Sequence, residues 1–284
     1  MSIEPGALHV VATPIGNRDD LTDRARAVLA GVDVVAAEDT RHTGRFLKAL
    51  GIDAELVSLH EHNERARIPA LLERLRAGAA VALVSDAGTP AIGDPGYPLV
   101  VAAHEAGIRV LPIPGPSALS AALSVAGQPT DRFAFEGFLP ARAQARRKRL
   151  DALADEARTL VLYESAQRVV AALDDLVAAF GATRPATLAR ELTKAFETVR
   201  RADLGTLAEW VRADPDQRRG EIVLVVAGAA ASAGETARVT LAAALDALLP
   251  ELPPARAAAV AARLTGTSRR AAYDAALARG QRGD

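Results

Sequence analysis

The alternation of short apolar runs with helix-length segments constrains the fold of this chain most. Before residue 115, five apolar runs of strand length occur, at residues 8–13, 33–39, 55–60, 81–86 and 109–114. Thr22 can cap a helix ending near Gly31, and leucines of residues 68–75 mark one face of another. Strands separated by helices need crossover connections, which predicts a parallel sheet with helices on its faces.

A second α/β unit follows a proline-rich connector, PIPGPS at residues 112–117, which cannot continue as regular structure. Strands are predicted at residues 133–139, 159–165, 187–191, 198–204 and 221–226, in a sheet expected to be mixed. Helices alone are predicted near residues 241–249, after Pro253-Pro254 and after Thr267. The prediction is therefore α/β, with domains at residues 1–115 and 116–230 and a small basic helical tail at 236–284.

Composition excludes several classes of protein. The chain contains no cysteine, which removes disulfides, thiol nucleophiles and cysteine-ligated metals. Residues 1–6 carry no apolar run typical of a signal peptide, and no stretch has the length and apolarity of a membrane span. We therefore expect a soluble, cytoplasmic protein that uses no membrane.

Polar and turn-forming residues follow all five strands of the first domain. They begin with residues 13–17 and 38–42, and continue with 60–63, 85–90 and 114–117. Because open α/β sheets bind ligands beyond the carboxyl ends of their strands, we expect one cleft to collect these segments. The most distinctive is the loop SDAGTPAIGDPG at residues 85–96, whose three glycines and two prolines fix its path and admit a ligand close to the backbone.

The usual nucleotide signatures are missing. Neither G-x-G-x-x-G nor G-x-x-x-x-G-K-[ST] occurs, which disfavours a nicotinamide dehydrogenase and favours a cofactor without phosphate. Asp86 with Asp94, or His60 with His62, only superficially suggests a cation site, and no further ligand is evident for the histidines. We predict no metal.

Positive charge is local, although the formal net charge of the whole chain is −1. Half of residues 140–149 are cationic: Arg142, Arg146, Arg147, Lys148 and Arg149. Residues 252–284 carry six arginines against two aspartates. These segments are either solvated helix surfaces or contacts to a phosphate backbone, and with few aromatic residues they favour structured RNA.

Eight segments together resemble the ribosomal RNA small-subunit methyltransferase I family of the tetrapyrrole methylase superfamily. In order they are TPIGNRDDLTDRA, AAEDTRHTGRFL, LVSDAGTPAIGDPGYPLV, PGPSALSAALSVAG, FEGFLP, LVLYESAQRV, LARELTKAFET and GEIVLVVAG. The resemblance covers residues 8–228, and the arginine-rich tail fits it as well. It implies two α/β domains, with S-adenosylmethionine bound in the cleft between them, and a homodimer. It also implies methyl transfer to the ribose 2′-oxygen of a cytidine in the decoding region of 16S rRNA, on the small ribosomal subunit.

The resemblance also implies a set of cofactor-binding residues: Pro14, Gly88, Thr89, Pro90, Ile92, Ser117, Ala118, Tyr163 and Glu191. For removal of the hydroxyl proton the candidates are Asp86, Glu38, Asp39 and Lys194, the last because a buried lysine can lose its proton. Two alternatives remain: a tetrapyrrole C-methyltransferase, against which the basic segments argue, and a non-catalytic ribosome-binding factor, against which the cleft loops argue.

Overall fold

The computed structural model of the chain describes residues 3–230 and 240–280. The described residues up to Ala229 form one compact unit, and those after it form a second. The predicted tail also included residues 236–239 and 281–284, which lie outside the described residues.

The first sheet is parallel throughout, as the alternating pattern predicts. Its strands lie in the order β3-β2-β4-β1-β5, and their bounds are β1 Leu8–Val11, β2 Val34–Ala37, β3 Glu55–Ser58, β4 Val81–Val84 and β5 Val110–Ile113. Four helices connect them: α1 Asp23–Gly31, α2 Thr40–Ala49, α3 Glu64–Arg76 and α4 Tyr97–Glu105. Every residue of β2 and β4 is buried, because helices pack on both faces.

The second sheet is mixed, again as predicted. Its order is β6-β7-β10-β8-β9, with only β6 and β7 parallel. The strands are β6 Phe133–Phe138, β7 Thr159–Ser165, β8 Pro185–Arg190, β9 Thr198–Asp203 and β10 Glu221–Val226. The helices around this sheet are α5 Ala118–Val125, α6 Ala143–Leu153, α7 Val169–Phe180 and α8 Leu204–Ala213.

The two sheets meet through the turn that follows β1. Ile15 is buried in one apolar cluster with Ala122 of α5 and Val223 of β10. The next residues add a polar link, because the Asn17 N–H donates to Thr193 Oγ1 at 3.1 Å. The carboxyl end of β1 is therefore fixed against the second sheet.

The second compact unit contains three helices, α9 Leu241–Leu248, α10 Pro254–Thr265 and α11 Arg269–Gly280. Its core is built mainly from alanines, with Leu245 fully buried among them. Thr240 caps α9 by accepting a hydrogen bond from the Ala243 N–H at 3.1 Å. No helix among the described residues is long and apolar enough to span a membrane.

Candidate functional site

The loop at residues 85–96 is fixed at three points. Gly88 pairs with Thr13 through two backbone hydrogen bonds of 2.9 and 3.0 Å, just beyond β1. The Thr89 hydroxyl donates to the Pro116 carbonyl at 3.0 Å. At its far end the Gly96 N–H donates at 3.0 Å to the buried carboxylate of Glu64. The loop is thus a rigid wall that needs no ligand to hold it.

Behind this loop lies the first cavity, of about 340 Å³, between the two sheets. Its wall is largely apolar and includes Ile15 and Val223. It also contains most of the predicted cofactor-binding set, namely Gly88, Thr89, Ile92, Ser117, Ala118 and Tyr163. A volume in this range is typical of small-molecule sites.

The three remaining members of that set lie elsewhere. Pro14 lines a second cavity, of about 590 Å³. Pro90 is buried within the loop. Glu191 lines neither cavity, and the space above Gly220 is filled by its side chain. The structure thus gathers six of the nine predicted residues around one space.

Aromatic rings form one side of the first cavity. Tyr163 packs edge-on against Phe135, with ring centroids 4.8 Å apart, and against Phe138 at 5.7 Å. The Tyr163 ring also lies against the backbone of Gly93 in the loop. Phe138 remains 56% exposed at the cavity mouth, so a planar ligand can stack there.

Five carboxylates also line the first cavity: Glu38, Asp86, Asp94, Glu164 and Glu221. Glu164 is already paired with Arg168. The pKa of Asp94 is raised to about 6, mainly by burial and further by the charges of Glu38, Asp86 and Glu221. A hydrogen bond from Ser85 acts in the opposite direction. Burial, together with the charge of Asp86, also raises the pKa of Glu38 above its usual range. The cavity wall is therefore short of positive charge and suits a cationic ligand.

Asp86 and Glu221 belong to both cavities, along with Ile15 and Ala87. The two spaces are therefore adjacent, with these residues between them. Asp86 is held there by the Asp39 N–H, which donates to its Oδ1 at 3.1 Å.

Lys194 lines the second cavity, where its environment does not favour the role of proton acceptor. Its Nζ lies 2.7 Å from Glu191 Oε1 and 2.8 Å from Glu221 Oε2. Burial alone would lower the pKa of Lys194, but hydrogen bonds to Glu191 and Glu221 outweigh it and raise the pKa above the usual value. These contacts favour the charged ammonium, and a role for Lys194 in removing the hydroxyl proton stays a prediction.

Asp39 also departs from its predicted role. Its carboxylate caps α2, accepting from the Arg41 N–H at 2.8 Å, and pairs with the Arg41 guanidinium at 3.2 Å. The hydrogen bond from the Arg41 side chain lowers the pKa of Asp39 to about 2, and its side chain lines neither cavity. A carboxylate so fully engaged is a weak proton acceptor, which leaves Asp86 and Glu38 as candidates.

The basic segment on α6 is only partly a free surface. Arg146 is buried, and its guanidinium lies 2.7 Å from the buried Asp175. This geometry does not favour its predicted role as a phosphate contact, because the guanidinium is buried and already paired with a carboxylate. Arg147 pairs with the same carboxylate and Arg149 with Glu136, although both arginines stay accessible.

The two remaining cations of that segment, Arg142 and Lys148, are exposed. Among the described residues, neither makes an ion pair.

Sequence reasoning missed several residues that line the cavities. Glu221 opens β10 and carries no local signal, while Asp94 was considered only for a cation. Arg18, His42 and Arg45 line the second cavity. The His60 and His62 rings lie 6.0 Å apart, and no group of three metal-ligating side chains occurs among residues 3–230 and 240–280.

Solved structures share this arrangement of two sheets. The methyltransferase CobJ aligns with 79% of this chain and 95% of its own, with a TM-score of 0.59 and 22% identity. A uroporphyrin-III C-methyl transferase from Thermus thermophilus, complexed with S-adenyl homocysteine, covers 78% of this chain and 97% of its own, at a TM-score of 0.54 and 21% identity. Residues 7–208 match the family model of Tetrapyrrole (Corrin/Porphyrin) Methylases, which defines the class of the fold.

Curated relatives narrow that class. Proteins named ribosomal RNA small subunit methyltransferase I share 53% identity in Xylella fastidiosa strain Temecula1, 51% in Escherichia coli O157:H7 and 52% in Pseudomonas aeruginosa. These alignments cover 95–96% of this chain and 95–98% of each relative. Residues 235–280 match the model described as the RsmI C-terminal HTH domain. The chain belongs to the ribosomal RNA small subunit methyltransferase I family.

Proposed function

We propose that this protein transfers the methyl group of S-adenosylmethionine to the ribose 2′-oxygen of a cytidine in the decoding region of 16S rRNA, acting as a cytoplasmic homodimer. One observation carries the proposal. A largely apolar cavity whose wall includes five carboxylates occurs in a chain about half identical to proteins named for methylating small-subunit rRNA. Tetrapyrrole enzymes share the fold at much lower identity.

The first cavity fits the proposed cofactor by charge and shape. S-adenosylmethionine carries a sulfonium cation, which the carboxylates of Glu38, Asp86 and Asp94 favour, and it supplies a methyl group already activated for transfer. The exposed ring of Phe138 and the rim of Tyr163 offer stacking area for an adenine. Gly88 and Thr89 of the loop line the same cavity, so their backbone groups can contact the rest of the cofactor.

Asp86 is the proposed acceptor of the 2′-hydroxyl proton, because it lies between the two cavities. A carboxylate at that position can receive the proton as the ribose oxygen bonds to the methyl carbon and the carbon–sulfur bond breaks, which leaves a neutral thioether. Glu38 lines only the first cavity, and its negative charge interacts with that of Asp86. Lys194, held charged by Glu191 and Glu221, fixes the position of Glu221 at the same boundary.

A methyl-transfer assay with labelled S-adenosylmethionine tests the function. The acceptors are small ribosomal subunits from cells lacking this protein, naked 16S rRNA and a tetrapyrrole precursor. We expect label in one ribose of the rRNA and none in the tetrapyrrole. Label in the tetrapyrrole alone, or cofactor binding without transfer, contradicts the proposal.

The variant Asp86→Asn tests the proton acceptor, with Asp39→Asn as its matched control. Asparagine is isosteric and still caps α2, so we expect Asp39→Asn to retain most of the turnover. Asp86→Asn is expected to lower kcat by about a hundredfold or more while cofactor binding persists. Equal kcat values for the two variants would remove Asp86 from this role.

A further inference from the structure

The second cavity has a chemical character opposite to that of the first. Four cationic or titratable side chains line it but not the first cavity: Arg18, His42, Arg45 and Lys194. Its acidic residues are Asp86 and Glu221, both at the boundary with the first cavity, and Lys194 pairs with Glu221 there. A ligand in this space therefore meets positive charge on the side away from the proposed cofactor.

The two arginines are free to bind an anion. Both are exposed, and neither forms an ion pair with a carboxylate among the described residues. Arg45 uses only its Nε, which donates to the Arg41 carbonyl at 3.2 Å, so its two terminal nitrogens stay available. Other exposed arginines, such as Arg41 and Arg74, are paired with carboxylates. Arg18 and Arg45 differ from them in lining a cavity without such a partner.

Separate elements hold the two guanidinium groups. Arg18 begins a short 3-10 turn that Asn17 caps, and this turn is tied to the second sheet through Thr193. Arg45 lies on α2 one turn after His42, and Phe46 beside it presents a half-buried ring to the same cavity. Two cations on different elements, with an aromatic ring beside one of them, can hold two phosphates of one strand and a base.

We propose that the second cavity is the acceptor site for the target nucleotide of the RNA, with Arg18 and Arg45 binding the phosphodiester groups on either side of its ribose. In this arrangement the 2′-hydroxyl faces Asp86 at the boundary of the two cavities. The inference rests on the proposed function and extends it, since it assigns the acceptor to particular residues and separates its site from that of the cofactor.

The double variant Arg18→Gln, Arg45→Gln tests the assignment. Its matched control is Arg24→Gln, Lys48→Gln, which removes the same charge from exposed positions on α1 and α2 that line neither cavity. Three quantities are measured: the Kd of S-adenosylmethionine by calorimetry, kcat/KM for unmethylated small subunits at several salt concentrations, and the melting temperature.

We expect the cavity variant to bind the cofactor within about twofold of the unmodified chain. Its kcat/KM should fall by about tenfold or more. The slope of log kcat/KM against log salt concentration should decrease by the equivalent of roughly one to two phosphate contacts. The control should match the unmodified chain. Equal kcat/KM in the two variants, or a parallel loss of cofactor binding, overturns the inference. Failure of the unmodified chain to methylate rRNA instead overturns the function itself, so the two failures are distinguishable.

Discussion

At the scale of single residues, Asp94 is the carboxylate in the wall of the first cavity whose charged form is most clearly disfavoured. Burial and neighbouring carboxylates hold its pKa at about 6, so the folded protein binds more protons than the unfolded chain between roughly pH 4 and pH 6. Stability is therefore lost as the pH rises through that window. Removing the charge with Asp94→Asn should raise the free energy of unfolding at pH 7.5 by about 1 kcal/mol, after allowance for solvent screening.

Denaturant unfolding at pH 4 and pH 7.5 measures this effect, and Asp131→Asn, at an exposed position, is the control. The gain for Asp94→Asn should shrink to a small fraction at pH 4, where the carboxyl is protonated in the folded protein and about half protonated in the unfolded chain. A gain of equal size at both pH values would show that charge is not its cause.

The residue scale is also where sequence reasoning reached its limit. Six of the cofactor-binding residues that the resemblance implies line the first cavity. Five of them lie in segments that follow the ends of strands. Lys194 pairs with Glu221, 27 residues away, as well as with the nearby Glu191, and Arg146 pairs with Asp175, 29 residues away. The two long-range pairings have no local signal, so the sequence does not reveal that this lysine and this arginine already have carboxylate partners.

At the scale of elements, the position of the loop at residues 85–96 depends on Gly88. Its φ of +85° disfavours a side chain, and a Cβ there would lie 3.3 Å from Ile15 at the boundary of the cavities. Gly78 is the matched control, with a φ of +95° but open space around it. Both alanine variants should lose about 1–2 kcal/mol of stability.

Only Gly88→Ala should also weaken cofactor binding, by about tenfold, because the added methyl group displaces the wall of the first cavity. Thermal unfolding and calorimetric titration of S-adenosylmethionine separate the two effects. Similar Kd values for both variants would mean that the position of the loop does not set the affinity.

Elements differ in how far their sequences predict them. All ten strands were predicted within a few residues, since most are short apolar runs bounded by turns, although β9 reads TVRRAD. Helix α2 was not predicted, because its sequence TRHTGRFLKA is mostly polar and buries only Thr43 and Leu47. Its position depends on the Asp39 cap and on packing against the sheet, and periodicity records neither.

At the scale of the whole molecule, cofactor and RNA binding are predicted to be separable. Every residue that lines the two cavities precedes Ala229, so a chain ending there should bind S-adenosylmethionine within about twofold of the full chain. The helical unit after it exposes Arg256, Arg263, Arg269 and Arg270. If these four arginines bind phosphates, kcat/KM for small subunits should fall on truncation. The slope of log kcat/KM against log salt concentration should then decrease by the equivalent of about two to four phosphate contacts.

A full-length chain with these four arginines changed to glutamine shows whether charge is the cause. The four side chains are exposed, whereas the core of this unit is built from alanines and Leu245, so the variant should keep its packing. It should reproduce most of the truncation's loss of activity on subunits and leave the cofactor Kd unchanged. If truncation abolishes activity while the glutamine variant keeps it, the unit acts through its shape or its apolar surface, and the positive charge is incidental.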